Sequence, residues 1–504
     1  MTERTRNAPP RAGAMMEALR GLGYSTAAAL ADLLDNSVSA GAHEIRIDFK
    51  WDGVRSRISV IDNGRGMDDA ELESAMRLGE KSPLDERAPD DLGRFGMGLK
   101  TASFSQCRRL TVASVKKRGQ ICCLRWDLDA MAARPEDGWI LFEGPAEGSE
   151  EHLSALGGIE SGTMVLWESL DRIVTTGYTA NHFVDLVDDV DRRLAMVFHR
   201  LLQGPGAKIR LFINDRPVSP WDPFMSGHPS KPWNSPIERR ATDSGIVEVE
   251  CHVLPHRDRL LPAEYEAAGG PEGWTAQQGF YVYRNGRLLL AGGWLGLGQG
   301  RAWNREEAQR LARIRLDIPN TADADWKIDI RKSTARVPVS LRPWLTRLAE
   351  DTRERARKVF AFRGAPAPGP GGTPVEQAWR AEHSRSGVRY RIDEGHPAVA
   401  AAMEAAGASL PLLKAMLRVI EETVPVQRIW LDTAENRETP RNAFAGEPPE
   451  NVRDVLKILY EDMICRRGMS PVLAKRTLAA TDPFQNYPDL VSSLPEDPVP
   501  GVSH

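Results

Sequence analysis

The 504-residue chain lacks several features that would settle its class early. It has only five cysteines, Cys107, Cys122, Cys123, Cys251 and Cys465, with no CxxC pair and no histidine at finger spacing. That argues against a zinc finger or a disulfide-stapled fold and fits a reducing compartment. No apolar run approaches the ~20 residues that span a bilayer. The longest, LLLAGGWLGLG from Leu288, is too short and too rich in glycine. The N-terminal MTERTRNAPPRAGAMMEALRGLG carries charges but no apolar centre, unlike a signal peptide. The expectation is a cytoplasmic protein with no membrane contact. No charge sign dominates either. The net charge of -4 gives no global sign of nucleic-acid binding, which leaves room for a local basic face.

What is present is ordinary for a folded, soluble protein: 41% hydrophobic and 27% charged residues. The length is too great for one core and predicts two to four domains. Residues 24–38 have helical periodicity through Leu30, Leu33 and Leu34, with Ser25 or Thr26 as cap. HEIRIDFKW and RSRISVID alternate around an Asp-Gly pair, a hairpin signal. DDAELESAMRLG reads as a helix, EKSPLDERAPDD as a loop or lid, and GRFGMGLKTASF as a Gly-rich turn entering a helix. Strands follow at RLTVASV, QICCLRW and TMVLWESL, then a helix over 181–203. AKIRLFINDRPV, GIVEVECHVL and GFYVYRNGRLLL are β, and 340–362 is helical. RGAPAPGPGGTP is the clearest linker. The fold class expected is α+β: a mixed sheet with helices over one face, then a second α/β block, then a mostly helical segment. The boundaries are 1–175, 176–362, a linker at 363–375, and 376–504.

Four motifs occur in order. On the first helix Asp32 and Asn36 lie one turn apart on one face, with Asp35 about 60° away. An amide oxygen there can ligate Mg²⁺, and a carboxylate can take a proton from an attacking water. In DNGRGM, Asp62 ends a strand and can accept a hydrogen bond from an exocyclic amine. Gly64 and Gly66 would let backbone approach a planar ring. In GRFGMGLK, Gly93, Gly96 and Gly98 can turn backbone N–H groups toward phosphates, and Lys100 adds a point charge. In SGTMVLW, Thr163 starts a strand. Singly these are weak, since such triplets occur in ordinary turns. The Gly-rich loop is no Walker A, because no GKS or GKT follows.

Together and in this order the motifs resemble a GHKL ATPase, the class of DNA gyrase B, MutL, heat-shock chaperone ATPases and histidine kinases. LADLLDNSVSAGA is similar to the N box, DNGRGM to the G1 box, and LGRFGMGLKTAS to the G2 box. The resemblance implies a Bergerat-fold ATP site over 24–170. Asn36 would ligate Mg²⁺. Asp62 would bind the adenine amine with Gly64, Gly66 and Met67 beside it, and Thr163 would act nearby through water. Gly93, Arg94, Phe95, Gly96, Met97, Gly98, Leu99 and Lys100 would form the lid end and phosphate cradle. GRFGMGLKTAS and MRLGEKSP look most like MORC proteins and their bacterial relatives. Two departures stand out: Asp32 replaces the usual Glu, and Ser39 stands where Asp is frequent. Slow turnover would follow from the shorter base.

The second block resembles a transducer domain, which projects a lysine to the γ-phosphate. The candidates are Lys327 and Lys332, with a solvated strand edge as the plain alternative. From Lys327 to Arg363 eleven basic residues face four acidic ones. The excess suits a DNA backbone, and equally a solvated helix laced by i,i+4 pairs. Residues 376–504 read as a helical interaction or DNA-contacting module, with His383, His396 and His504 at the surface. The leading expectation is an ATPase acting as an ATP-gated dimerising clamp, in DNA-related roles such as restriction or phage defence. A nucleotide-sensing scaffold or a chaperone-like ATPase without DNA binding is the alternative. A histidine kinase would need an acceptor histidine before the N box, and the first histidine is His43.

Overall fold

The computed structural model describes residues 10–21, 23–80, 98–204, 207–323, 325–329, 334–361, 377–384, 387–426, 429, 450–481 and 484–496. Of the expected site residues, Gly93, Arg94, Phe95, Gly96, Met97 and Lys332 lie outside the described residues, as does most of the lid stretch. The chain divides into two compact units, Met1–Ala361 and Phe362–His504.

The first unit opens with helices α1 (Ala12–Arg20) and α2 (Thr26–Ser39), then a hairpin of β1 (Glu44–Lys50) and β2 (Arg57–Asp62). Next come α3 (Asp69–Met76), α4 (Gly98–Phe104), β3 (Arg109–Val115), β4 (Cys122–Asp127), α5 (Leu128–Ala133), β5 (Phe142–Glu143) and β6 (Gly162–Glu168). They are followed by α6 (Ala180–Val197), α7 (His199–Leu202), β7 (Arg210–Ile213) and β8 (Arg216–Pro217). The strands form one sheet in the order β5-β4-β3-β6-β2-β1-β7-β8. It is antiparallel except where β1 runs parallel to β7. The sheet therefore continues well past residue 175, and that sequence boundary falls inside one packed layer.

Period-2 alternation explains the inner face. Ile45, Ile47 and Phe49 of β1 and Ile58 and Val60 of β2 point into the core shared with α2 and α6. Asp62 occupies the next inward position of the β2 series and is itself buried. The central strands are covered on both faces. Leu110 and Val112 meet the helices, while Ala113, Met164 and Leu166 pack with Leu156 from a 3₁₀ segment, Glu150–Gly158. Helix α3 starts with a capping box: Glu71 N–H donates to Asp68 and Asp68 N–H donates back to Glu71.

The second sheet uses β9 (Trp233–Asn234), β10 (Glu238–Thr242), β11 (Gly245–Val253), β12 (Gly279–Arg284), β13 (Arg287–Ala291) and β14 (Ala312–Ile318). Its order is β10-β11-β14-β12-β13, with β9 on β11. A short helix α8 (Pro262–Ala268) interrupts the strands, and α9 (Arg342–Ala361) follows them. Alternation again divides the faces. Phe280 and Val282 join Leu345, Leu348 and Ala349 of α9. Tyr281, Tyr283 and Leu288 instead meet Phe224 and Met196 of α6. Each such buried side chain stabilises by ~1.5–3 kcal/mol, so the second sheet is bonded to the first layer through α6.

The other unit begins with a hairpin, Trp379–Ser384 and Gly387–Ile392, which the periodicity of the sequence did not announce. Helices Pro397–Ala405, Leu410–Glu422, Glu450–Glu461, Pro471–Ala479 and Pro488–Ser492 follow, with a core including Leu456, Tyr460, Leu478 and Phe484. His396, expected at the surface, is buried because its ring caps the helix after it, accepting from Ala398 N–H at 3.3 Å. Among the described residues no single helix is long and apolar enough to cross a membrane.

Candidate functional site

Helix α2 is capped by Ser25, whose hydroxyl accepts from Ala28 N–H at 3.2 Å. It lies between the sheet and helices α4 and α6, so it is buried almost all round, polar residues included. Asp32 is 5% exposed, Asp35 1% and Ser37 4%. Asn36, on the same turn, is exposed. Buried carboxylates require partners. Asp32 Oδ2 accepts from the Tyr24 hydroxyl at 3.0 Å. Burial, and then the charge of Asp32, push the Tyr24 hydroxyl far above its ordinary value. Asp35 Oδ1 accepts from Arg287 Nε at 3.2 Å, and Arg287 Nη2 stands 3.9 Å from Asp32 Oδ1.

At the end of β2, Asp62 pairs across the sheet with Ile45 on one side and Thr163 on the other. Its Oδ2 accepts from Ser37 Oγ at 2.7 Å and its Oδ1 from Gly64 N–H at 2.9 Å. Burial pushes its carboxyl above the usual carboxylate range, while the bonds from Ser37 and Gly64 pull the other way. Each carboxylate oxygen keeps further acceptor capacity. Beside it, Ser114 Oγ lies 2.8 Å from Thr163 Oγ1, donates to Gly162 O at 2.9 Å and accepts from Met67 N–H at 2.8 Å. With the Ser114 proton on Gly162, the Thr163 hydroxyl is the donor of that pair.

The glycines of DNGRGM meet protein rather than open space. Gly66 has φ +69°, and a Cβ there would lie 1.9 Å from Val115 O. A Cβ on Gly64 would lie 2.9 Å from that of Ala40. The close approach that these glycines allow within the protein is to the neighbouring backbone and helix end.

Gly98 begins α4, and its missing Cβ faces Asp32 Oδ2 at 3.8 Å. Leu99 packs against the core. Lys100 is not a free point charge. It is 2% exposed, and its Nζ donates to Ala75 O at 2.8 Å, tying α4 to the end of α3. Lys327 is exposed, with φ +47°, in the lining of a cavity of about 830 Å³ with Arg240, Arg336, Arg342 and Trp326. Among the described residues that lining contains nothing from α2. Arg287 of the second sheet does reach α2.

Ser37, Ser114, Tyr24 and Arg287 were not singled out from sequence. Ser37 had a signal: it continues the buried series Leu30, Leu33, Leu34, and a hydroxyl at an inward position requires a buried partner. Arg287 had one too, as a charge in an otherwise apolar strand after an Asn-Gly turn.

The basic excess of α9 is largely committed. Arg347 pairs with Glu238, Arg355 with Asp351 and Lys358 with Glu354. Arg353 is buried, 4.6 Å and 4.8 Å from the ring centres of Trp294 and Trp303. Among the described residues no group of three His, Cys, Asp or Glu could hold a metal ion.

A sheet with helices packed on it, a buried aspartate ending one strand opposite a threonine, and a polar helix alongside define a GHKL-type ATP-binding domain. Residues 24–163 match the family model of histidine kinase-, DNA gyrase B-, and HSP90-like ATPases. The segment is also 35% identical over 129 residues to the DNA mismatch repair protein MutL of Rhodospirillum rubrum, covering 25% of this chain and 18% of that protein. MutL of Acidiphilium cryptum is 34% identical over 109 residues, covering 21% and 18%. The match thus spans under a fifth of the length of these relatives.

Proposed function

We propose that the first layer binds ATP with Asp62 as the adenine acceptor and hydrolyses it with Asp32 as the base. The observation that carries this reading is the Asp62 carboxylate. It is buried at a strand end and oriented on both oxygens by Ser37 and Gly64, with the Thr163–Ser114 hydroxyl pair beside it. That arrangement presents fixed acceptors to an exocyclic amine. Asn36 would hold Mg²⁺ with waters and phosphate oxygens, where the ion would offset charge developing on the transferred phosphoryl group. Asp32 would take the proton of the attacking water, oriented by Tyr24 on its other oxygen. As an aspartate its reach is short, and turnover is expected to be slow.

Hydrolysis would gate a homodimeric clamp of MORC-like kind, working on DNA in restriction or phage defence. The family and the MutL relatives support the ATPase part of this reading. The neutralised α9 favours the second reading, a nucleotide-sensing scaffold without DNA contact. A protein partner on the second unit is compatible with both.

The test is equilibrium binding of a fluorescent ATP analogue to the full chain, with sizing in the presence and absence of a non-hydrolysable analogue and of duplex DNA. Micromolar binding, weakened by Asn36→Ala, with hydrolysis abolished by Asp32→Asn, is expected. A wild-type chain that binds no ATP would sink the proposal. Unchanged size with ATP bound would remove the clamp alone.

A further inference from the structure

The hairpin β12–β13 turns at Asn285 and Gly286, both with positive φ, 49° and 82°, as a tight hairpin requires. Its tip is wedged against the first layer. A Cβ on Gly286 would lie 3.3 Å from Leu201 Cδ2 of α7. The Arg287 guanidinium lies 6.0 Å from the ring centre of Phe198, the residue between α6 and α7. The first strand is wholly buried, and so are Arg287, Leu288 and Leu289 of the second. A charge carried to such a place is costly unless paired.

Arg287 is paired on the nucleotide helix. Its Nη1 donates to Leu288 O at 2.7 Å, which fixes the plane of the guanidinium. Its Nε then donates to Asp35 Oδ1 at 3.2 Å, and Nη2 stands 3.9 Å from Asp32 Oδ1. The fork is a rigid one, so the two distances change together when the strand shifts. The opposite oxygen of Asp32 is held by Tyr24. The groups that flank the Asp32 carboxylate thus include Tyr24, just before its own helix, and Arg287 from the second sheet.

We infer that Arg287 is a positioning residue for Asp32, through which the placement of the second sheet sets the orientation of the base. The inference rests on the reading of Asp32 as the base. A small advance of the hairpin tip turns the 3.9 Å contact into a hydrogen bond and immobilises Oδ1. A withdrawal removes that restraint from Oδ1. Hydrolysis, rather than nucleotide binding, is the quantity that such a contact governs. The hydrogen bonds that orient Asp62 come from Ser37 and Gly64 and do not involve Arg287.

The experiment uses the full chain in three variants: Arg287→Lys, the paired neutral change Arg287→Met with Asp35→Asn, and Asp32→Asn. The paired change removes both buried charges together, so neither is left stranded. Nucleotide affinity is read with a non-hydrolysable analogue, and turnover in single-turnover hydrolysis. The paired variant is expected to keep nucleotide affinity within about twofold and to lose roughly tenfold or more in hydrolysis rate. Arg287→Lys, which keeps the charge but not the fork, should recover part of that loss. A purely structural role would lower affinity and rate together. If Asp32→Asn is inactive while a folded paired variant hydrolyses at the wild-type rate, the positioning role is overturned and the base survives. If Asp32→Asn hydrolyses normally, the base reading itself falls. Should the paired variant not fold, Arg287→Lys decides: a wild-type rate overturns the inference, and a loss of rate at unchanged affinity supports it.

Discussion

Helices α2 and α9 both drew attention in the sequence through their polar residues, and the fold treats them oppositely. On α2 the polar residues are inside. Asp32, Asp35 and Ser37 are all buried, and each has a partner outside the helix. On α9 the charges are mostly outside, where they meet neighbours one turn away or across the sheet edge. Solvated pairs of that kind are worth ~0–1 kcal/mol and need no function to explain them. A buried polar group is expensive, so its retention points to chemistry or to specific pairing. The one α9 cation that resembles α2 is Arg353, which has left the surface for two indole faces.

The sharpest way to break this contrast is Asp62→Asn. The substitution keeps the shape and the Gly64 contact, and removes the charged acceptor. ATP affinity should fall by about 2 kcal/mol or more, roughly thirty-fold, by calorimetry. Burial raises the Asp62 carboxyl above 3.8, so the sign with pH is defined. Protonation removes an acceptor, and ATP binding by the wild type should decline on acidification at a pH above the ordinary aspartate range. The same raised value costs the folded state stability as pH rises through it, since the buried group must then ionise. The Asn variant should therefore melt no lower than wild type at neutral pH, despite binding ATP poorly. A parallel loss of melting temperature and affinity would mean that Asp62 serves the fold rather than the nucleotide.

Ser37→Ala tests the same contrast one step removed. It strips Oδ2 of a 2.7 Å donor in a buried place. A cost of about 1–2 kcal/mol in stability is expected by urea unfolding, with ATP affinity weakened several-fold because Asp62 loses its orientation. An effect under a few tenths of a kcal/mol would show that the hydroxyl is a bystander.

The individual strands were legible because alternation and the hairpin turns are local, while their order in the sheet was not. Ile45, Ile47 and Phe49 announce an inward face by themselves, and Asp52-Gly53 and Asn285-Gly286 announce turns. Helix α2 and the strand end at Asp62 were legible because short motifs sit on single elements. The rest depends on pairs far apart in the chain. Arg287 and Asp35 are separated by 252 residues, and no periodicity links them. Ser114 meets Thr163 because β3 and β6 are neighbours in the sheet, a fact of topology. Lys100 shows the converse limit. A lysine after a Gly-rich turn has the right charge for phosphates, but its reach toward Ala75 is set by how α4 packs on α3. The helix over 340–362 was likewise visible, while the sorting of its arginines into paired, stacked and exposed was not.

Arg353→Ala asks whether the buried cation of α9 behaves as the buried polar residues of α2 do. Burial pulls its guanidinium below the ordinary arginine value, with Glu306 opposing. Among the described residues Nη1 has no hydrogen-bond partner, so the indole faces are its main compensation. Loss of those contacts and of the packed stem should cost about 1–3 kcal/mol in unfolding free energy, with ATP affinity unchanged.

The smallest effect is expected for Arg355→Ala and Lys358→Ala together. Each sits in an i,i+4 pair with a carboxylate of its own helix, exposed on both sides. Arg355 also lies 4.5 Å from the ring centre of Trp233, so stability should move by about 1 kcal/mol or less, and affinity for duplex DNA at moderate salt should not change if these charges serve only the helix surface. If α9 instead follows a phosphate backbone, the carboxylates would give way to phosphates on binding. The double variant would then weaken DNA binding and reduce the slope of log affinity against log salt by nearly two, because two fewer counterions would be released. That slope is diagnostic, because a change of fold would lower affinity without altering the count of neutralised phosphates. An unchanged slope would leave α9 as a solvated helix, and would place the functional polar chemistry of this unit on α2 and the strand end beside it.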